Sequence, residues 1–158
     1  MAASAAYWVA SQADELVVTP GGIVGSIGVL TAHEDVSKAE EMAGVKTTVI
    51  SAGKFKAEDH PFQPLSESAR AEQQSMVDKY YNVFVSAVAK GRGVSLSTVR
   101  DGYGQGRVVK GEDALSMGMV DTVATLDQVI TRLMGRPAQG SLSADMDMRQ
   151  RRLRQASR

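Results

Sequence analysis

Short β-branched runs alternate with helix-forming segments along most of the chain, and this alternation most constrains the fold. Strand-like runs are predicted at 16–19, 27–31, 46–51, 108–109 and 119–123. Helical segments are predicted between and around them, at 3–13, 35–42, 66–90, 95–101, 112–117 and 125–134. Strands and helices that alternate in this way predict the α/β class.

The longest predicted helix begins after Ser66, ends near Lys90 and carries apolar residues at three- and four-residue steps. This spacing predicts a buried stripe along one side of the helix. The stripe consists of Ala69, Val77, Tyr80, Tyr81, Phe84 and Val88. The last predicted helix begins at Thr125, and Gln128 completes the pattern of a capping box.

The length and the charge balance limit the organisation and the partners. With 158 residues the chain is long enough for one domain, which we place at 1–134. Residues 135–158 are predicted to be a linker and a basic, disordered tail. The 18 basic and 18 acidic side chains cancel, so nothing indicates a nucleic-acid partner. No apolar run approaches the roughly 20 residues of a membrane-spanning helix.

Composition also excludes several kinds of chemistry. The chain has no cysteine, so disulfides, thiolate metal sites and cysteine nucleophiles are excluded. No metal-ligand spacing is present. The glycine-rich segment 102–106 lacks the strand and helix that flank a phosphate-binding loop. We therefore predict neither a metal nor a cofactor.

Serine is the remaining nucleophile, and it needs an adjacent base. His33 and His60 lie in polar loops without a catalytic motif, and we interpret both as solvated loop histidines. Lysine is the other possible base. Its ordinary pKa of about 10.4 keeps it protonated at neutral pH, but burial lowers that pKa by up to several units.

Ser4 has a local setting that suits a nucleophile. Alanines flank it on both sides, and such small neighbours let a peptide carbonyl approach the hydroxyl. The amide of Ala5 could donate to a developing oxyanion. The alternative is that Ser4 is the N-cap of an alanine-rich helix. The local sequence leaves both interpretations open.

Several blocks, in order along residues 2–134, resemble the signal peptide peptidase A family of serine peptidases. The blocks are Ala2–Pro20, Gly25–Val29, Ser51–Lys56, Gly106–Val109 and Ala114–Asp121. The resemblance implies a Ser–Lys dyad with Ser4 as nucleophile. It implies Lys56 as the base, with Lys54 as a rival on the opposite side of an extended loop. Ser26 either orients the lysine amine or is a turn serine.

Two departures from the family pattern refine this expectation. Ala5 and Ala6 stand where the family usually has glycines, and this resembles its phage and prophage branch. In the Clp-protease/crotonase-like fold of the family, several strand–helix units precede the nucleophile serine. We therefore expect the C-terminal portion of such a domain, a partial serine peptidase domain without its N-terminal part.

The resemblance implies a serine endopeptidase that cleaves signal-peptide remnants or phage capsid and scaffold proteins. It also implies a homo-oligomer in the cytoplasm or the phage prohead, and a missing N-terminal part would leave room for a membrane anchor. An alternative is a catalytically inactive fragment or an assembly piece of a phage head protease. A crotonase-like acyl-CoA enzyme is less favoured, because the Gly25–Val29 and lysine blocks argue against it.

Overall fold

The computed structural model describes residues 1–135, so the predicted tail lies outside the described residues. The elements are β1 (Ala2–Ala3), α1 (Ala5–Ala10), β2 (Val17–Val18), β3 (Ile23–Gly25), α2 (Ser37–Met42), α3 (Glu67–Arg92), a π-helical turn (Thr98–Gly102), β4 (Val108–Lys110), α4 (Gly111–Ser116), β5 (Thr122–Val123) and α5 (Leu126–Met134). Short strands alternate with helices, which confirms the predicted α/β class.

The chain forms two compact units. Of the described residues, unit 1 contains 1–28 and 81–135, and unit 2 contains 29–80. Helix α3 contributes residues 67–80 to unit 2 and residues 81–92 to unit 1. The assignment of 1–134 to one partial peptidase domain stays a prediction.

Two small sheets lie in unit 1. The first has the order β1-β3-β4, with β1 parallel to β3 and β3 antiparallel to β4. Ala3 pairs with Gly25, and Gly25 pairs in turn with Val108. The second sheet consists of β2 and β5 in parallel. The first sheet thus places the end of β1 beside the glycine that ends β3.

Local capping signals fix the predicted helix starts. The Ser66 hydroxyl accepts a hydrogen bond from the Ala69 amide at 3.2 Å, so α3 begins where the sequence predicts. Thr125 and Gln128 form the predicted capping box at the start of α5. The predicted helix at 95–101 is helical, but Thr98–Gly102 takes the wider π form.

The core of unit 1 joins α1 to the C-terminal part of α3. Its buried apolar residues are Tyr7, Val18, Val24, Ile27, Phe84, Val85, Val88, Ala89, Val99, Tyr103, Ala114, Met119 and Val120. The Trp8 ring stacks on Phe84 with centroids 4.7 Å apart and planes inclined by 9°. Gly91 lies so close to Ser11 that a Cβ at position 91 would overlap the Ser11 carbonyl. Helix α1 is therefore tightly held against α3.

The predicted buried stripe of α3 is confirmed in part. Ala69, Phe84 and Val88 are buried, but Tyr80 is 57% exposed, so its predicted burial is wrong. Burial along α3 concentrates at residues 84–92, where the helix packs in unit 1, and Tyr80 precedes that stretch.

Two predicted strands are wrong. Residues 46–51 form no strand, and Ile50 in this run is 94% exposed. A β-branched run is stable as a strand only beside a partner and an apolar layer, and the described residues supply neither. The predicted strand at 27–31 is also absent, because the ladder ends at Gly25 and the backbone turns at Ser26 with φ 52°.

Candidate active site

Ser4 lies at the turn that joins β1 to α1, in a backbone conformation rare for a residue with a side chain. Its φ is 55° and its ψ is −129°. The Ser4 amide donates to the Gly25 carbonyl at 2.8 Å, and the Ser4 carbonyl accepts the amides of Tyr7 and Trp8 at 2.9 and 3.1 Å. Strained residues of this kind persist only where the surroundings hold them, and they concentrate at functional sites.

The Ser4 side chain is available for chemistry. Ser4 occupies the N-cap position of α1, as the alternative interpretation expected, but its side chain makes no capping hydrogen bond. Ser4, Ala5 and Ala6 are all exposed. Ser4 is thus an exposed serine on a strained strand-to-helix turn, and turns of this kind occur at the nucleophile of some serine hydrolases.

The amide of Ala5 lies directly after the serine. As the first residue of α1, Ala5 has no carbonyl four residues earlier within the helix to bond. Among the described residues its amide donates no hydrogen bond. It is therefore free to donate to an oxygen that approaches Ser4, which is the property required of an oxyanion donor.

Ser26 follows the glycine that binds the Ser4 amide. The Ser26 amide donates to the Arg107 carbonyl at 2.9 Å, and the residue is half-buried. Gly25 and Ser26 both have positive φ, at 98° and 52°. The structure brings Ser26 to within one residue of the hydrogen-bond partner of Ser4. Its backbone has the geometry of a turn residue, and the role of its hydroxyl stays a prediction.

Lys54 and Lys56 lie in a run of turns in unit 2, and both are exposed. The Lys56 amide donates to the Gly53 carbonyl at 3.2 Å. The Lys54 ammonium lies 4.9 Å from the centroid of the Phe55 ring. Because the segment turns, the expectation of an extended loop is wrong, and the placement of the two lysines on opposite sides stays a prediction.

The two members of the predicted dyad belong to different units. Ser4, Ala5 and Ser26 are in unit 1, whereas Lys54 and Lys56 are in unit 2. The pairing of Ser4 with Lys56 therefore stays a prediction.

A buried polar cluster in unit 1 begins at Tyr7, three residues after Ser4, and the sequence reasoning did not assign it. We call it the polar platform. It consists of the side chains of Tyr7, Arg92, Tyr103 and Asp121 and the carbonyls of Gly118 and Met119. Among the described residues no buried side-chain nitrogen or oxygen lacks a hydrogen-bond partner. The platform is thus a satisfied network, as buried polar groups in native proteins generally are.

Arg92 and Asp121 form the ionic part of the platform. The guanidinium binds both carboxylate oxygens at 2.9 Å, and its Nε donates to the Gly118 carbonyl at 3.2 Å. Burial alone would lower the pKa of Arg92, but the hydrogen bonds and charge of Asp121 outweigh it and raise that pKa. Asp121 also accepts the Leu16 amide at 2.8 Å. Asp121 ends one of the family-like blocks, and that was the signal that pointed to it.

The two tyrosines of the platform bind adjacent carbonyls. The Tyr7 hydroxyl donates to the Met119 carbonyl at 2.8 Å, and the Tyr103 hydroxyl donates to the Gly118 carbonyl at 3.1 Å. Burial is the main cause that raises the pKa of each phenol above its ordinary value. Both hydroxyls therefore remain protonated donors at neutral pH.

His33 is not the solvated loop histidine that we predicted. Its side chain is only 9% exposed, and its ring nitrogens lie 3.2 Å from the Asp59 carboxylate and 3.2 Å from the Gln63 carbonyl. Both nitrogens are thereby used in holding the loops of unit 2 together. His60 lies in the same loops, and its Nδ1 accepts the Phe62 amide at 3.1 Å.

Unit 2 also contains an open cavity of about 510 Å³. It is lined by Val29, Leu30, Thr31, His33, Leu65, Arg70, Gln73, Gln74 and Val77. Its volume lies within the range of small-molecule pockets, but its open, mixed lining shows no converging set of catalytic groups.

Over residues 1–135, no helix is both long and apolar enough to cross a membrane. Within the same range no group of histidine and acidic side chains is arranged to hold a metal ion.

Comparison with known proteins finds similarity to several named proteases. Protease 4 of Haemophilus influenzae is 31% identical over 84% of this chain and 21% of its own length. Capsid assembly protease C of Escherichia phage lambda is 32% identical over 83% of the chain and 29% of its own length. The chloroplastic serine protease SPPA of Arabidopsis thaliana is 34% identical over 82% of the chain and 19% of its own length.

The chain spans less than half the length of the curated relatives that it matches. The sequence profile of Peptidase family S49 matches residues 1–139, which include the serine turn, the lysine segment and Asp121. This match is consistent with the predicted Clp-protease/crotonase-like fold, of which the described residues show short strands alternating with helices. The chain therefore belongs to Peptidase family S49.

Proposed function

We propose that the chain carries the active site of a serine endopeptidase with a Ser–Lys dyad. Ser4 is the nucleophile, Lys56 the general base and the Ala5 amide an oxyanion donor. The observation that carries the proposal is the strained, exposed turn at Ser4, whose hydroxyl caps no helix. Membership of a peptidase family and the protease names of the relatives support it.

The reaction follows from these roles. The Ser4 hydroxyl attacks the carbonyl carbon of a peptide bond while the neutral Lys56 amine takes its proton. The tetrahedral intermediate places its negative oxygen near the Ala5 amide. The carbon–nitrogen bond then breaks, and Lys56 returns the proton to the leaving amine. Water hydrolyses the acyl-enzyme, which releases the carboxylic acid and restores Ser4.

Lys56 can act as the base only when its amine is neutral, and burial favours the neutral form. In unit 2 the Lys56 side chain is exposed. We therefore propose that a bound substrate or a neighbouring subunit covers it in the active state. Ser26 would then donate its hydroxyl to orient the amine. Contact of the Lys54 ammonium with the Phe55 ring favours Lys56 over Lys54 as the base.

The proposed substrate is an extended peptide that pairs with the segment Gly25–Gly28. Strand β1 covers β3 only as far as Gly25, so the backbone beyond it has no β1 partner. Peptides commonly bind by adding a strand to such an edge. The lambda relative is named as a capsid assembly protease, so we propose phage capsid or scaffold proteins, with signal-peptide remnants as the other class. The active form would be a homo-oligomer in the cytoplasm or the prohead.

A second candidate is a catalytically inactive piece that takes part in phage head assembly. The exposure of both Lys54 and Lys56 favours it, because a solvated ammonium is a poor base. If the folded chain cleaves no casein, even at chain concentrations high enough for oligomers to form, this candidate is favoured over the enzyme.

The test is cleavage of casein by the wild-type chain and matched variants. Ser4→Ala and Lys56→Ala should each lower kcat/KM by at least about a thousandfold, because each removes a reacting group. Lys54→Ala is the matched control, since it removes the same functional group two residues away, and it should retain activity within about threefold. Full activity in Lys56→Ala with loss in Lys54→Ala would move the base to Lys54. Full activity in Ser4→Ala would overturn the proposed function.

A further inference from the structure

The backbone conformation of Ser4 needs support from its neighbours. A positive φ at a residue with a Cβ is unfavourable, so other contacts must hold the turn in place. On one side the Gly25 carbonyl holds the Ser4 amide, and on the other the Tyr7 and Trp8 amides hold the Ser4 carbonyl. The first side belongs to β3 and the second to α1.

Tyr7 connects the α1 side of this turn to a distant part of the chain. It lies three residues after the serine and is fully buried. Its amide binds the Ser4 carbonyl, while its hydroxyl binds the Met119 carbonyl at 2.8 Å. One residue thus links the backbone of the serine turn to the polar platform.

Met119 contacts the other side of the turn. Its terminal methyl lies 3.0 Å from the position that a Cβ on Gly25 would occupy. The Gly25 carbonyl in turn accepts a hydrogen bond from the Ser4 amide. Met119 therefore contacts both supports of Ser4. Its carbonyl accepts a hydrogen bond from the Tyr7 hydroxyl, and its side chain lies against Gly25.

We propose that Tyr7 is a positioning residue for Ser4, because its hydroxyl bond to the Met119 carbonyl holds α1 and the serine turn against β3. This inference rests on the proposed role of Ser4 as the nucleophile. Tyr7 touches no reacting atom, so its effect is on the placement of the Ser4 hydroxyl. Misplacement of a reacting group by about 1 Å can lower a rate by roughly a hundredfold.

Tyr7→Phe and Tyr103→Phe form a matched pair. Each removes one phenol bond to a carbonyl of the platform, Met119 for the first and Gly118 for the second. Tyr7 binds the Ser4 backbone directly, whereas Tyr103 precedes the Gly104–Arg107 turn and makes no recorded bond to Ser4. In Tyr103→Phe the Gly118 carbonyl still accepts a hydrogen bond from Arg92, so the two substitutions do not remove equal support from the platform. Thermal unfolding of both variants is therefore measured first. All assays are then made well below both unfolding temperatures.

The first measurement is casein cleavage. Tyr7→Phe should lower kcat by about tenfold to a hundredfold with KM unchanged, because an interaction that places the nucleophile acts on the chemical step. Tyr103→Phe should keep kcat within about twofold. A purely structural role would instead lower activity in proportion to the unfolded fraction in both variants.

The second measurement does not depend on catalysis. Trp8 is the single tryptophan of the chain, lies on α1 beside Tyr7 and stacks on Phe84. Acrylamide quenching of its fluorescence therefore reports the mobility of α1. Quenching should increase in Tyr7→Phe and stay at the wild-type level in Tyr103→Phe.

The outcomes separate the two proposals. If the proposed function is wrong, the wild-type chain will not cleave casein. The quenching comparison then tests the role of Tyr7 without the activity assay. Equal quenching in the two variants, or equal kcat where the wild-type chain is active, would overturn the inference. If Tyr7→Phe does not fold, 3-fluorotyrosine placed at position 7 or 103 changes the hydrogen bond while keeping the ring and hydroxyl, and the same comparison applies.

Discussion

The serine turn in unit 1 and the lysine segment in unit 2 differ in how much of their geometry the described residues fix. Ser4 is held through backbone hydrogen bonds to Gly25, Tyr7 and Trp8, and Tyr7 belongs to a platform of buried and satisfied polar groups. Lys54 and Lys56 lie in exposed turns, where backbone bonds join Lys56 to Gly53 and Glu58 to Phe55.

This difference matters because the two groups need different environments. A nucleophilic serine requires accurate placement, which hydrogen bonds within one unit can provide. A lysine base requires removal from water, which needs a covering surface. Within unit 1 hydrogen bonds hold the Ser4 backbone, whereas within unit 2 Lys56 is exposed, so its proposed role requires a covering substrate or neighbouring subunit. The catalytic proposal therefore depends most on what covers Lys56.

The largest effect on stability should come from breaking the ionic part of the platform. Arg92→Met leaves the Asp121 carboxylate in a half-buried site without its main partner, so the free energy of unfolding should fall by about 3–5 kcal/mol. Arg132→Met is the control, because its pair with Glu15 joins side chains that are 39% and 40% exposed. That variant should lose no more than about 1 kcal/mol. Urea unfolding measures both, and equal losses would show that the platform does not hold unit 1 together.

The next largest effect on stability compares the packing of the two units, with the same valine-to-alanine substitution made in each. Val88 is fully buried in unit 1, and Val49 is 42% exposed in unit 2. Val88→Ala should lower the free energy of unfolding by about 2 kcal/mol, since it removes two buried methyl groups. Val49→Ala should change it by less than about 0.5 kcal/mol. A loss at Val49 as large as that at Val88 would mean that another surface covers residues 45–51 in solution.

The smallest effect concerns the pH dependence of stability at the platform. Burial, with a contribution from Tyr103, raises the pKa of Tyr7 well above its ordinary value of 10.0. The unfolded chain releases this proton above about pH 10, whereas the folded chain keeps it. The contribution of the Tyr7 phenol to the free energy of unfolding is therefore complete below that pH and declines as the pH rises. In Tyr7→Phe this decline should be shallower by up to about 1.4 kcal/mol per pH unit.

Urea midpoints measured between about pH 9 and pH 11.5 check this difference, using the phenol pKa of the unfolded chain as the reference. Parallel curves for the wild-type chain and Tyr7→Phe would contradict the burial of a protonated phenol at position 7.

The sequence predicted those features that depend on neighbouring residues. The cap at Ser66 and the capping box at Thr125 involve partners only three residues away, and both are confirmed. The β-branched run at 46–51 was mispredicted as a strand, because strand formation depends on partners that a local pattern does not contain. The end of β3 at Gly25 was also missed, since the turn at Ser26 is fixed by the distant Arg107 carbonyl.

The same division holds at the candidate site. Ser4 was identified by the order of family-like blocks, but neither its strained backbone nor its free side chain could be predicted from alanine-rich flanks. Arg92 and Asp121 are 29 residues apart, and no local pattern joins them. Asp121 lies in a family-like block, whereas Arg92 lies just beyond the predicted helix end near Lys90, where the sequence assigns it no role. Tyr7 lies within the first family-like block, but its bond to Met119 spans 112 positions, which no local pattern shows.

The most direct test of the central claim is to identify the serine that reacts with an organophosphorus fluoride. The folded wild-type chain is incubated with diisopropyl fluorophosphate, and the modified residue is located by peptide mass mapping. A single adduct should form on Ser4 and be absent from Ser4→Ala, with Ser97→Ala, at an exposed serine without a proposed role, as the control that still reacts at Ser4. An adduct on another serine, unchanged labelling of Ser4→Ala, or no adduct on the folded chain would contradict a catalytic serine at this turn.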